Sequence, residues 1–504
     1  WRPTHLGLGA DWIEDWVVNL DYYGDRGPAV GTELEYSFGE DTPGHNGRLL
    51  AYGVSDSADE DATGRPVPRE SRGRLWWRHR ARWNDNWRTD VEFYDLSDSG
   101  FLDEYFEREF EEEKAPESYV MTRYRAGNLW AGLLARPQVN DFMTQLEELP
   151  GLEIQYLGGG LGGLVYDASV EVGYYDLEIS DELGIADPPG LFRAHAEQRL
   201  SWPFDLWFLH MNPFVRVLGT HAGEHVEPNG TFGGSESRFG AGGGLRVSAE
   251  FSRVWGLESP TFDLNRLRHI LIPYVEAESL SVNTDSEDFI QLGGFDPWPR
   301  RGSGPRPRTD TIDGIDDRSE VRVGLRQRFQ TKRWEEERWE TVDWFDLDLA
   351  LVNRSDDSVR VPVDDDYVTA DLEWELSRDF RIVAANNRIS LDEEGTDIYN
   401  IGAEARLRPG CAVRATYHRI PEATTSLEAG LEARLSDRYA LLVNETYEFD
   451  SRGEGEEQNL ETEIIVRRAF HKWLLDLGVE YEKAGDELSI VLGFSPVGLK
   501  FWQR

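Results

Sequence analysis

Cysteine is nearly absent. Cys411 is the single one in 504 residues, which rules out an internal disulfide and any cysteine-rich metal centre. Basic charge is also scarce. Lys and Arg total 53 against 95 Asp and Glu, a formal charge of −42. Phosphate contacts need a basic face, so this balance argues against a nucleic-acid partner. No apolar run approaches the ~18 residues of a transmembrane helix. Only 39% of residues are hydrophobic and the mean hydropathy is −0.56. Such values border on disorder, yet 12% aromatics with 18 Trp are side chains that need burial. Helical periodicity is scarce too. Residues 144–149 and 334–339 come nearest, and both are short. The opening Trp1-Arg2-Pro3 does not read as a secretion signal, which points to a mature or trimmed chain.

What is present is alternation. Val30, Thr32, Leu34, Tyr36 and Phe38 interleave with Gly31, Glu33, Glu35 and Ser37. Val321, Val323 and Leu325 interleave with Arg322, Gly324 and Arg326, and Leu427 to Leu435 repeats the pattern with Glu428, Glu432 and Arg434. A period of two with one apolar and one charged face is the mark of a strand. The chain divides into about 24 such segments at about 21 residues per strand and connection, the repeat of an outer-membrane barrel. The connections alternate as well. They are tight at 84–86, 126–127, 158–160, 409–410 and 436–437, and long at 56–73, 97–117, 136–151, 221–237, 282–318 and 450–456. Two, 254–268 and 332–340, are medium where short ones are expected. Long and short connections therefore segregate to opposite edges, as in barrels with short periplasmic turns and long outer loops.

The expected fold is a single all-β domain over 1–504: a large, closed, antiparallel transmembrane β-barrel of about 24–26 strands in the outer membrane. The first strand begins near residue 11 and the last covers 487–494. An even count puts both termini on the short-turn, periplasmic side. A soluble sandwich of this length would need linkers, and the one linker-like stretch, 300–308, lies inside a long loop. Tyr22, Tyr23, Phe38, Trp76, Trp77, Trp83, Trp87, Tyr174, Tyr175, Tyr447 and Phe494 fall near strand ends, where interfacial girdles belong. Val30, Leu34 and Tyr36 form an outward row.

Signatures of chemistry are weak. No His-Glu-x-x-His or phosphate-binding loop occurs. Gly158, Gly160 and Gly163 match a dinucleotide pattern, but a strand follows where a helix is required, so they read as a turn. His221, His225, Glu224 and Glu227 share a loop with no metal-ligand spacing. Asp310, Asp313, Asp316 and Asp317 lack the spacing of a calcium loop. The acidic run 107–113 reads as a solvated loop. The chain reads as a protein without an enzymatic, cofactor or metal site. Pro28 opens the second strand and reads as turn punctuation, or as a device that keeps the first strands loosely paired.

Several strings, in order along the chain, resemble the barrel of the lipopolysaccharide-assembly outer-membrane protein, the organic-solvent-tolerance family. They are Asp25-Arg26-Gly27-Pro28, Arg72-Gly73-Arg74, Leu96-Ser97-Asp98-Ser99-Gly100-Phe101-Leu102 and Glu148-Leu149-Pro150-Gly151-Leu152. Farther on come Arg266 to Glu276, Phe295-Asp296, Asp313-Gly314-Ile315-Asp316-Asp317-Arg318 and Val321 to Arg328. The resemblance covers about residues 11–330. It implies a translocon that inserts lipopolysaccharide into the outer leaflet. It also implies a plug lipoprotein inside the barrel and a periplasmic lipopolysaccharide-bridge protein that docks on an N-terminal jellyroll not found in this chain. The lipid would leave through a lateral gate between the first and last strands, which here places Trp16, Val18, Leu20, Tyr22, Pro28, Leu488, Ile490, Leu492 and Phe494 at the gate, facing outer-membrane lipids. The chain departs from the family in carrying one cysteine where members join two domains by disulfides, and in strand count, the family barrel having 26. The alternatives are a general porin or solute channel, and a surface enzyme or adhesin built on long loops.

Overall fold

The computed structural model describes residues 12–496 except 25, 40–43, 61–65, 68–69, 113, 227–231, 287–288, 290–291, 293–311, 336–337, 357–365, 392–396, 421–423, 452–457, 472 and 483–486. The main sheet has 26 strand segments. Phe204–Leu206 continues the ladder of Leu191–Ser201 against Leu209–Ala222, beyond Trp202 and Pro203. Phe251–Ser259 continues that of Glu236–Ala249 against Leu264–Val282, beyond Glu250. With these two continuations merged into the strands they extend, the 26 segments make 24 antiparallel passes. A hairpin of His225–Val226 and Phe232–Gly233 stands apart. The first passes are β1 (Ile13–Tyr23), β2 (Gly27–Phe38), β3 (His45–Ser55), β4 (Ser71–Arg82), β5 (Trp87–Leu96) and, after helix α1 (Phe101–Glu112), β6 (Tyr119–Ala126).

Connections 83–86, 127–128, 162–163, 207–208, 260–263 and 409–410 share one edge, and 56–70, 97–118, 179–190 and 283–317 the other. On the long-loop edge, 24–26, 421–423 and 483–486 are nonetheless short. β1 and the last strand, Glu487–Pro496, both have their outer termini on the short-turn edge.

The register lines up one apolar row across the sheet. Val275 faces Val323, Val323 faces Leu351 and Leu351 faces Val368. Leu431, Val443, Ile464, Val479 and Ile490 form the same row on later strands. Val275, Val323, Leu351, Ile464 and Val479 are exposed. The other face is charged: Arg326 and Arg328 hold Asp346, and Arg467 holds Asp476. A water-soluble monomer rarely exposes an apolar patch beyond a few hundred Å². A band repeated from strand to strand, opposite an ionic face, is the outer surface of a membrane barrel. The protein is thus an all-β, antiparallel transmembrane barrel.

Aromatic rings edge that band. Trp83, Trp202, Trp207, Trp334, Trp339, Phe470 and Trp473 are exposed at the short-turn edge. Nearby, His269 stacks on Phe329 at 4.1 Å and Phe345 meets Trp374 edge-on at 6.0 Å. Phe38 and Trp77 belong to the outer row, where the Trp77 Nε1 donates to Tyr36 Oη at 2.9 Å. Rings with a polar tip suit the boundary between hydrocarbon and headgroups. Tyr23, Trp76 and Tyr175 depart from this girdle: they sit on the inner face, with Tyr23 bonded to Tyr52, Trp76 stacked on Tyr94 and Tyr175 bonded to Glu171.

Five expectations change. Residues 254–268 and 332–340 are mostly strand, because those passes run long, with ladders that reach Ser259 opposite Leu264 and Glu335 opposite Arg338. The glycine turn is Gly162-Gly163, both at positive φ, while Gly159 and Gly160 stay in the ladder and Gly158, also at positive φ, lies in a bulge of it. Residues 145–149 belong to a strand, and Trp334 pairs with Trp339 across a hairpin. The acidic run lies largely in α1. Last, ladders join each pass to the next from β1 onward, but among the described residues none joins β1 to Glu487–Pro496.

Candidate functional site

The anticipated gate residues occupy the two terminal passes. Trp16, Val18, Leu20 and Tyr22 face Leu34, Thr32, Val30 and Pro28 of β2 on the outer row. Trp16 also donates from Nε1 to Thr32 Oγ1 at 2.9 Å. Leu488, Ile490 and Leu492 face Tyr481, Val479 and Leu477. Phe494 is placed by its pairing with Leu475, and its side chain lies outside the described residues. Leu20 (78%), Tyr22 (75%), Leu488 (70%), Ile490 (78%) and Leu492 (72%) are more exposed than outer-row residues of interior strands such as Val275 (44%) and Leu351 (49%). A strand flanked on both sides shields half of each side chain, whereas an edge strand shields less. Pro28 does not loosen the pair: the β1–β2 register is unbroken from Asp15 to Tyr23, and its single shift lies between Ile13 and Asp15.

On the inner face, the long-loop edge is filled from within. α1 buries Phe101 and Leu102 against Ala29, Leu50, Tyr52, Val54, Tyr94 and Leu96, all opposite the apolar row. Its apolar residues Phe101, Leu102, Tyr105, Phe106 and Phe110 lie at helical spacing in the sequence, the helix kinks at Phe106 (φ −145°), and Asp103 and Glu104 suit its N-terminal turn. That spacing was the available signal for the helix, and the surrounding acids hide it. Below α1 runs a buried ionic network. Arg72 donates from Nε and Nη2 to Asp98 at 3.0 and 2.7 Å, and from Nη1 to Asp56 at 2.9 Å. Asp56 also accepts from Tyr105 at 2.6 Å and Arg26 at 3.1 Å. Arg74 lies 3.6 Å from the Phe106 ring and pairs with Glu109. Burial pushes the Asp56 carboxyl up, but bonds from Tyr105, the Ala58 N–H, Arg72 and Arg26 outweigh it and hold the pKa at about 2.

Gly27 and Gly73 are required by this packing. A Cβ on Gly27, at φ 130°, would sit 2.4 Å from the Ser55 carbonyl, and one on Gly73 would sit 2.5 Å from that of Tyr52.

Described residues of the connection between Leu264–Val282 and Arg318–Glu335 also pack inward. Phe289 and Leu292 join Leu146, Tyr175, Leu191 and Ala222. Asp313 accepts from Arg193 at 2.7 Å and from the Leu292 N–H at 2.7 Å. Arg238 donates to the carbonyls of Ile312 and Ile315 and stacks over Phe289. Asp316 and Asp317 accept from the Ser286 and Val282 N–H groups. The aspartates of this loop therefore tie down backbone and arginine, and Asp310 lies outside the described residues. His221 bonds Ser237 instead of gathering ligands. Glu227 also lies outside the described residues, and among those described no cluster of metal-ligating side chains forms. The strings Asp25 to Pro28, Arg72 to Arg74, Leu96 to Leu102 and Asp313 to Arg318 thus supply the ends of the two internal networks.

No family model matches the sequence, and no curated protein matches it. Among solved structures, the siderophore receptor PirA from Pseudomonas aeruginosa is similar at 9% identity, over 96% of this chain and 79% of that one, with a TM-score of 0.33. The copper transporter OprC is similar at 9% identity, 94% and 76% coverage and a TM-score of 0.32. The alcaligin receptor FauA from Bordetella pertussis is similar at 10% identity, 95% and 74% coverage and a TM-score of 0.28. Overlaps this loose bear on neither cargo nor mechanism.

Proposed function

We propose that the chain is an outer-membrane barrel transporter that passes lipopolysaccharide sideways into the outer leaflet, between β1 and Glu487–Pro496. The high exposure of Leu20, Tyr22, Leu488, Ile490 and Leu492 carries this reading. An amphiphile needs a wet route for its sugars and a greasy exit for its chains. A weakly covered strand edge beside a charged inner wall offers both, whereas a continuously paired barrel abolishes edges. The ordered strings shared with the lipopolysaccharide-assembly family supply the cargo. On this reading a lipoprotein plug occupies the lumen and a periplasmic bridge protein delivers the lipid. The charged wall supports a solute channel as the second reading.

Joining Val18→Cys to Ile490→Cys tests the proposal in a Cys411→Ser background. The cross-linked protein is expected to stop delivery, with newly made lipopolysaccharide retained inside the outer membrane and restored to the surface by reduction. Normal surface lipopolysaccharide in fully cross-linked cells contradicts it. Steady single-channel conductance, undisturbed by the cross-link, favours the channel.

A further inference from the structure

The inner face of β4 reads Arg72, Arg74, Trp76, Arg78, Arg80 and Arg82, one side chain every second residue. In a chain of charge −42 such a row is conspicuous. Its two ends differ. Arg72 and Arg74 are buried beneath α1 and matched by Asp56, Asp98 and Glu109. The other end, toward the short turns, opens into a cleft of about 320 Å³ lined by Arg48, Arg78, Arg80, Arg88 and Arg123.

The register explains the cluster. Arg48 stands between Glu35 and Arg78, Arg78 between Arg48 and Glu92, Arg80 opposite Asp90, and Arg88 opposite Arg123, on neighbouring rungs of β2 to β6. The carboxylates here are largely spoken for. Asp90 is shared by Arg80 at 2.8 Å and Arg88 at 2.7 Å. Glu92 is held by Lys114 at 2.6 Å and by Trp76 Nε1 at 3.0 Å. Arg48 takes Glu33 at 2.7 Å, and its buried Nε has no hydrogen-bond partner among the described residues. Among those residues, no carboxylate lies within ion-pair distance of Arg78 or Arg123. Glu14 and Glu35 line the β1–β2 side and repel an anion, which shifts its seat toward β4 to β6.

We propose that this cleft binds a phosphoryl group, with Arg78 and Arg123 as its principal donors and the shared Arg80 and Arg88 completing the cradle. Guanidinium groups on a rigid strand present fixed forks that match phosphate oxygens. Like-charged arginines on adjacent rungs repel when empty, and an anion relieves that repulsion. The site does not depend on the export reading: a channel for phosphorylated solutes would use it equally.

The full chain in detergent is titrated calorimetrically with inorganic phosphate and, separately, with the soluble short-chain lipid dihexanoyl phosphatidate. The same titrations are run on Arg78→Gln with Arg123→Gln, on Arg78→Lys with Arg123→Lys, and on Arg199→Gln, which alters an inner-wall arginine stacked over Phe214. The Gln pair is expected to weaken binding by about tenfold or more, with the Lys pair, which keeps the charge but not the fork, retaining only part of it and Arg199→Gln all of it. Equal affinity for the two probes indicates a free phosphoryl anion, and tighter phosphatidate binding a lipid headgroup. Absence of binding by the unaltered protein, or a Gln pair that binds as tightly as it does, overturns the proposal.

Discussion

At the scale of single residues, two side chains anchor the interior. Arg72 is buried with Asp56 and Asp98, and removing one member strands the others as uncompensated charges. Arg72→Ala is expected to cost about 3–5 kcal/mol in urea unfolding from micelles. Arg72→Lys should recover only part of it, because an ammonium cannot fork across Asp98 as the guanidinium does. Asp56 gives the pH dependence. Its folded pKa, about 2, lies below the ordinary 3.8. Its stabilisation is therefore complete above the ordinary value and is lost as pH falls from about 4 toward 2. Asp56→Asn should remove that part of the acid slope, and an unchanged slope would contradict the assignment. Neither role was legible in the sequence. Arg72 and Asp98 sit in strings that read only as family likeness, and nothing local says that residues 26, 56, 72 and 98 meet.

At the scale of elements, strands were the readable part. Period-two alternation and tight turns are local, so most passes and the two edges could be placed within a few residues, although the pass expected after the 136–151 connection begins earlier, at Gln145. Reading failed where a pass runs long, as at 254–268 and 332–340: the turn-proximal rungs carry charged and aromatic side chains there and alternation blurs. It failed again at α1, whose acid-rich surface masks the stripe from Phe101 to Phe110. α1 stands on Phe101, which is wholly buried. Phe101→Ala is expected to cost about 3–5 kcal/mol by the same unfolding assay. On the outer row, Leu34→Arg should destabilise the folded barrel in lipid by about 2–4 kcal/mol if that side chain lies near mid-membrane. A neutral effect would mean that β2 presents its other face to lipid.

At the scale of the whole molecule, the sequence disclosed a large membrane barrel but not its internal furniture. α1 and the described residues around Phe289, Leu292 and Asp313 pack on the inner wall at the long-loop edge, while the short-turn edge keeps an open arginine cleft. The expectation of a gate between the first and last strands comes from family likeness alone, since no single strand reveals which neighbour it lacks. Its exposure pattern depends on how all 24 passes are spaced around the sheet, a global property.

Everything rests on the outer row lying in hydrocarbon. Val323 and Arg322 are adjacent, on opposite faces of one strand. A fluorophore attached to Val323→Cys, in a Cys411→Ser background reconstituted into bilayers, should be strongly quenched by nitroxide on lipid chains and little by aqueous iodide. At Arg322→Cys the order should reverse. Iodide quenching at position 323 with lipid quenching at 322 would contradict the barrel's orientation and, with it, the transport role.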